Sequence, residues 1–267
     1  MEKSTLIGLV LGFSAVGVGM VLKGASLVAL WNPAALMIIF VGTTAAVFNA
    51  FPMEELKRIP KLFKIIFQGP KITPKKEIVH TFVALATTAR REGLLSLESQ
   101  LESIEDPFIR NGMQLVIDGG DSEYVRSLLE EEIYATEERH RSGALIFSQA
   151  GTYAPTLGVL GAVIGLIAAL GNLSDIEKLG HSIAAAFVAT LLGIFSGYVL
   201  WHPIANKLKR ISSREIEIKQ MIMEGVLAIQ AGNSPLAIEQ MLLVYLPVSE
   251  RRSEREEKNV QEAQGAA

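Results

Sequence analysis

The chain has 267 residues, 49% of them hydrophobic and 20% charged, with a formal net charge of -3 and no cysteine. The missing cysteine excludes disulfides, thiolate metal sites and a thiol nucleophile, and the mild acidity gives no basis for binding nucleic acid. Apolar residues concentrate near the N-terminus and in residues 144–201, while charges crowd between Glu54 and Arg141 and after Lys207. This is the profile of a membrane protein with a substantial water-facing part.

Thr5 to Leu22 is the first apolar stretch. Gly8, Gly12, Ala15 and Gly19 fall on one helical face, which marks a retained packing surface rather than a cleaved signal segment. Gly17, Gly19 and Gly24 follow no strand and precede no Gly-Lys-Ser/Thr, so they are read as packing glycines and not as a phosphate loop. A link from Lys23 to Asn32 leads to a second span, Pro33 to about Phe51, with Pro33 suited to a helix start.

After Pro52 the pattern becomes that of water-facing helices. Thr73 is positioned to cap a segment opened by Pro74, in which Ile78, Phe82, Leu85 and Ala89 recur at helical spacing, and Gly93 interrupts it. Further helices are expected from Ser96 to about Ile104 and from Asp106 to Ile117, followed by a turn at Asp118-Gly119-Gly120-Asp121. From Ser122 a long helix runs through Val125, Leu128, Leu129 and Ile133, and nothing stops it before Gly151. It is expected to continue into the third span as one rod.

Tyr153 to Leu170 and Ile183 to Trp201 carry no charge. At 1.5 Å per residue, about 18 to 19 residues cross most of a hydrocarbon core of roughly 30 Å. Small residues form a stripe on each: Gly158, Ala162, Gly165 and Ala169, then Ala186, Thr190, Gly193 and Gly197. Such stripes let helices approach closely where lipid leaves no hydrophobic driving force between them. No Asp, Glu, Lys or Arg stands at membrane depth, although ion carriers keep such groups there despite a cost of about 2.5 to 3.5 kcal/mol or more. If the protein conducts ions, a partner must supply the acid.

Beyond Pro203 an amphipathic helix is expected from about Ser212 to Gln230, and Asn233-Ser234-Pro235 starts another with Ser234 as its cap. The residues after Pro247 are almost all polar and are expected to be disordered. Lys57, Arg58, Lys61 and Lys64 follow the second span and Lys207, Lys209, Arg210 and Arg214 follow the fourth, against only Lys23 and Lys178 in the two opposite links. By the positive-inside rule both termini and the large loop are cytoplasmic. The expected class is an all-α integral membrane protein, with four transmembrane helices, a large helical cytoplasmic loop and a helical cytoplasmic C-terminal segment. Its divisions are 1–51, 52–149, 150–203 and 204–267.

The four histidines, His80, His140, His181 and His202, have no metal-ligand spacing, and no cofactor is expected. There is no nucleophile with a base and no paired carboxylates in a plausible cleft, and the Glu130 to Glu138 run reads as a solvated helix face. An enzyme is not expected.

Three segments together, YAPTLGVLGAVIGLIAALGNL, AAFVATLLGIFSGYVLWHPIANKLKR and ARREGLLSLES, resemble the MotA family of flagellar stator membrane subunits, most of all those of Gram-positive bacilli. The resemblance covers nearly the whole chain up to about Pro247. It implies a homopentamer of four-span subunits in the bacterial cytoplasmic membrane around a MotB dimer, which supplies the membrane aspartate, with the small-residue stripes lining the inner ring. It also implies that proton-motive force turns the rotor through FliG. Arg90 and Glu98, with Arg91 and Glu92 sharing the role, match the rotor contact, and Pro155 and Pro203 match prolines linked to the torque step. Thr190 matches the hydroxyl beside the partner's aspartate. Gly158, Gly165, Ala186 and Gly193 match the MotB-facing interior together with Ala162, which stands where sodium-driven relatives carry a second hydroxyl. A proton is therefore the expected ion.

Two other readings compete. The ExbB and TolQ energisers of envelope transport share the proline and glycine pattern but have three spans, and the fourth span and the RREGLLSLE stretch favour the stator. A self-sufficient channel or solute carrier is opposed by the lack of membrane acids.

Overall fold

The computed structural model describes residues 3–70 and 72–251, and the tail expectation beyond Arg251 lies outside them. All regular structure among the described residues is helical, and four helices are long and apolar enough to cross a membrane: Ser4–Leu22, Leu27–Ala50, and stretches within Ser122–Leu170 and Ile176–Gln230. The chain divides into two compact units, residues 1–70 with 138–212 and residues 71–137 with 213–267.

In the first unit, α1 (Lys3–Leu22) leads through a 3-10 turn, Leu27–Leu30, to α2 (Pro33–Leu36). Asn32 Oδ1 accepts from the Ala35 N–H at 3.1 Å, and Pro33 stands at the first helical position, where its missing donor costs nothing. A π turn, Met37–Val41, joins α2 to α3 (Gly42–Ala50). Short helices α4 (Met53–Leu56) and α5 (Ile59–Gln68) follow, and α5 stops at Gly69, whose φ of 83° suits only glycine.

In the second unit, α6 (Lys75–Glu92), α7 (Glu98–Leu101) and α8 (Pro107–Ile117) pack with the first turns of α9 (Ser122–Leu170) and the latter part of α11 (His202–Gln230), with α12 (Pro235–Leu243) against α6. Phe82, Met113, Leu129, Met221, Ile222 and Ile238 form a dry core. Gly225 makes room for Phe82, since a Cβ there would stand 2.8 Å from the ring. Lys75 clasps the core's edge, donating to the Tyr245 carbonyl at 2.9 Å and pairing with Glu217 at 2.6 Å. Lys219 lies 3.9 Å over the Phe108 ring and 3.2 Å from Glu132.

The expected rod is present: α9 runs unbroken for 49 residues with Pro155 inside it. The chain is also helical from Ile176 to Gln230, through α10 (Ile176–Phe195), a second π turn at Ser196–Trp201, and α11. The expected restart near Ser212 is therefore corrected. A proline ring collides with the carbonyl four residues back in a straight α-helix, and the wider π turn before Pro203 relieves that collision, so the helix continues.

Two local expectations are also corrected. Thr73 does not cap α6, because its hydroxyl donates to Asp106 Oδ2 at 3.3 Å while Asp106 Oδ1 caps α8 through the Phe108 and Ile109 N–H groups. The Ser96 to Ile104 helix shrinks to a 3-10 turn, Leu94–Leu97, and the single turn of α7. Ser96, Ser99 and Ser103 each donate to the carbonyl three residues back, which favours tight turns over a continuing α-helix.

The hydropathy-based divisions at residues 51, 149 and 203 differ from the unit boundaries. Ile66 of α5, Ala144 and Phe147 of α9, and Ile204, Ala205 and Leu208 of α11 share one apolar cluster, which draws these polar-flanked segments into the first unit.

Candidate functional site

The hairpin of α9 and α10 closes on its glycines. A Cβ on Gly193 would stand 2.7 Å from Gly158 Cα and 2.8 Å from the Ala154 carbonyl oxygen, and one on Gly158 would stand 2.9 Å from the Ala189 oxygen. A Cβ on Gly165 would lie 3.0 Å from Ala186 Cβ. Gly158, Gly165, Ala186 and Gly193 are thus brought together in the seam between the two helices of one chain. Their small size permits backbone-to-backbone contact that larger residues forbid.

Ala162 and Thr190 are half-buried and flank this seam. Thr190 Oγ1 donates to the Ala186 carbonyl at 3.4 Å, near the limit of a useful hydrogen bond. Its lone pairs remain as acceptors, and the weak internal bond is readily exchanged for an external partner. Ala162 offers no oxygen from its side chain. The exposed apolar residues Val159, Leu166, Phe187 and Ile194 lie on these same two helices.

Pro155, inside α9, and Pro203, near the start of α11, lie close to the π turn at Ser196–Trp201. Pro155 cannot donate to the Gly151 carbonyl, and Gly197 packs closely against both, for a Cβ there would stand 2.8 Å from this oxygen and 2.7 Å from Pro155 Cγ. Gly151 in turn lies against the His202 ring, which a Cβ would meet at 2.8 Å. The His202 N–H donates five residues back to Gly197, the bond that defines the π turn. Trp201, at the end of this turn, packs against three apolar clusters: around Ile66 and Phe147, around Ile39 and Ala189, and around Val47 and Ile146. Trp201 Nε1 is buried with no hydrogen-bond partner among the described residues. The sequence marks Trp201 and Gly151 only as boundaries and gives no sign of the π turn; the one available signal is Gly197, placed one helical repeat from Gly193.

Arg90, Arg91, Glu92 and Glu98 are all exposed, and none pairs with another described residue. Arg90 and Arg91 end α6 and Glu98 begins α7, positions favoured by the helix dipoles. The corner beneath them is firm. Leu97 and Leu101 are buried, Gln100 Nε2 donates to Thr88 Oγ1 at 3.0 Å, and Gly93 makes the bend with a φ of 86°. Leu95, 73% exposed, stands among the charges. No group of His, Asp and Glu side chains suited to a metal occurs among the described residues.

Comparison with known proteins places both regions in context. Residues 6–93 match the motility protein A N-terminal model and residues 100–221 the MotA/TolQ/ExbB proton channel family. The chain is 54% identical over 251 residues to Motility protein A of Bacillus subtilis strain 168, covering 94% of this chain and 93% of that protein. A chain of the flagellar MotAB stator complex from Bacillus subtilis aligns with a TM-score of 0.90 at 54% identity, covering 94% of this chain and 99% of that one. A chain of C. jejuni MotAB aligns with a TM-score of 0.88 at 30% identity, covering 93% and 97%.

Proposed function

The chain belongs to the MotA/TolQ/ExbB proton channel family and is a flagellar stator subunit of the MotA type; from that premise we propose how its geometry serves the motor. The observation that carries the reading is a charge-free hairpin, sealed along glycines, with one weakly engaged threonine beside the seam. Such a surface binds and releases a carboxyl group but does not itself hold a proton. A MotB dimer, enclosed by a homopentamer of this chain, brings the aspartate.

In its ionised form that carboxylate accepts from the Thr190 hydroxyl and stays there, because crossing the apolar face would bury a charge. Protonation removes that cost and lets it pass to the next subunit. Each proton taken up and released moves the aspartate from one subunit's hairpin to the next, and the ring turns about MotB. The small residues serve in this scheme by holding α9 and α10 at a fixed short distance, so that Ala162 and Thr190 meet the passing carboxyl in constant register. Pro155, against Gly197, and Pro203, after the π turn, form the place where the helices flex during the step. Both termini and the Arg90 to Glu98 corner face the cytoplasm.

Torque passes to FliG through Arg90, Arg91, Glu92 and Glu98. Exposed ion pairs contribute only about 0 to 1 kcal/mol, whereas one charge crossing 100 mV releases about 2.3 kcal/mol. Such contacts are remade at each step without stalling. The ion is a proton, because Ala162 contributes no oxygen where sodium would need several ligands. Swimming speed that followed sodium concentration at constant proton-motive force would contradict this choice.

The deciding experiment is ion flux in vesicles. The chain with MotB is expected to pass protons, the chain alone none, and a complex whose MotB aspartate is replaced by asparagine none. Current from the chain alone would overturn the borrowed-acid mechanism. For the rotor contact, the double variant Arg90→Glu with Glu98→Lys is expected to abolish motility while membrane insertion and proton flux persist, and unchanged motility would refute the assignment.

A further inference from the structure

We propose that the groove between the start of α1 and the junction of α10 and α11 binds one anionic phospholipid of the inner leaflet. The groove has a volume of about 360 Å³ and lies wholly within the first unit, lined by residues of α1, α5 and the π turn and by Pro203, Ile204 and Lys207. That is room for a headgroup and the upper part of one chain, within the usual size of small-ligand pockets.

The two ends of the groove differ in chemistry. At one end Lys207 Nζ donates to Ser4 Oγ at 3.3 Å and to Thr5 Oγ1, so an ammonium and two hydroxyls converge. Thr5 accepts from the ammonium, which directs its own hydroxyl proton elsewhere, toward an acceptor such as a phosphate oxygen. Toward the other end lie Leu9, Val199 and Leu200. Between them Gly8 leaves the groove open, since a Cβ there would meet nothing within 4 Å. The first span begins at Ser4 and the charge-free stretch Ile183 to Trp201 of the fourth ends just before Pro203, so the polar end stands at headgroup depth and the apolar end within the hydrocarbon. Tyr198, 65% exposed at the rim, has the interfacial character common at that depth. Lys209 and Arg210, exposed on the next turn, add to the positive charge. A fixed cation above an apolar channel matches a phosphodiester with an acyl tail and mismatches a peptide helix, which brings no anion to that end. Gly8 and Gly19, read from the sequence as part of one packing face with Gly12, thus divide: Gly12 packs on Val199, while Gly8 opens the groove.

The site rests on the cytoplasmic placement of the N-terminus proposed above, and its test separates the two ideas. The full chain is purified with MotB, exchanged into phosphatidylglycerol, phosphatidylethanolamine or inorganic phosphate, and weighed by native mass spectrometry. The wild type is expected to retain one phosphatidylglycerol per copy of the chain. Lys207→Gln should lower retention about fivefold, the effect of one basic residue at a membrane surface, while Lys207→Arg preserves it. Gly8→Leu, whose added Cβ meets nothing within 4 Å, should fill the groove and displace the lipid even with Lys207 intact. Equal retention of phosphatidylethanolamine, binding of inorganic phosphate without lipid, or undiminished phosphatidylglycerol in Lys207→Gln and Gly8→Leu would overturn the site. Because the chain has no cysteine, Ser4→Cys gives a single label whose accessibility from the cytoplasmic side alone checks the orientation independently.

Discussion

At the scale of single residues, glycine in this protein acts through the space it leaves. Gly193 and Gly158 touch backbone to backbone, so any side chain at either position must push the two helices apart. Overpacking of a tight contact typically costs 1–3 kcal/mol, and here the obstacle is main chain, which cannot rotate away. Gly193→Leu is expected to lower the melting temperature of the purified complex and to abolish motility. Gly19→Leu, where a Cβ meets nothing within 4 Å, is the matched control and should leave the melting temperature nearly unchanged. Equal effects of the two substitutions would refute the packing argument. Thr190 and Ala162, proposed to face the passing carboxyl, are only half-buried.

At the scale of elements, the π turn at Ser196–Trp201 is where the proposed flexing of the helices would be set by sequence. It exists because Pro203 forbids a regular turn, and it places Gly197 against Pro155 and Trp201 among three clusters. Such turns insert about one extra residue into a helix and recur at functional sites. In Pro203→Ala the constraint disappears. The segment is expected to tighten toward α-helix, turning the following residues by about 100°, the rotation of one residue. Spin-label distances between the Ile204 and Phe147 positions should then change while the protein still inserts, and motility should fall. Unchanged distances would show that the turn is held by packing and not by the proline. Asp175 illustrates ordinary capping by comparison: it accepts from the Lys178 N–H at 3.1 Å and pairs with its ammonium, which together hold its carboxyl below the usual range.

At the scale of the whole molecule, each of the two units has its own apolar core. The second unit is closed by α12 and the segment after it, where Tyr245 packs at the core's edge. Burial, with the charges of Glu224 and Glu217, raises the Tyr245 hydroxyl above its ordinary range. A group whose pKa is raised on folding lends stability that is complete below its unfolded value of about 10 and is lost as pH rises through the folded value. Helicity of the purified protein, followed by circular dichroism against temperature, is therefore expected to fall in stability above pH about 10. Tyr245→Phe should remove part of that loss. An identical alkaline slope in both proteins would show that Tyr245 does not contribute.

The sequence by itself determined the all-helical class, the four apolar spans and the long rod of α9. Each follows from composition and period over 18 or more residues, signals strong enough to survive any tertiary context. Ser234, Gly93 and Pro33 marked their helix ends for a similar reason, since capping chemistry acts within a few residues. The resemblance singled out Pro155, Pro203, Arg90 and Glu98, but spacing alone gave no reason to prefer them to an ordinary helix end or a solvated surface. Only the tertiary structure decided that α10 passes into α11 without a break, that Gly197 packs against Pro155 and the Gly151 carbonyl, and that Lys207 meets Ser4 and Thr5. Those outcomes depend on which backbone lies within 3 Å of which other, and residues about 40 to 200 positions apart carry no local trace of that distance.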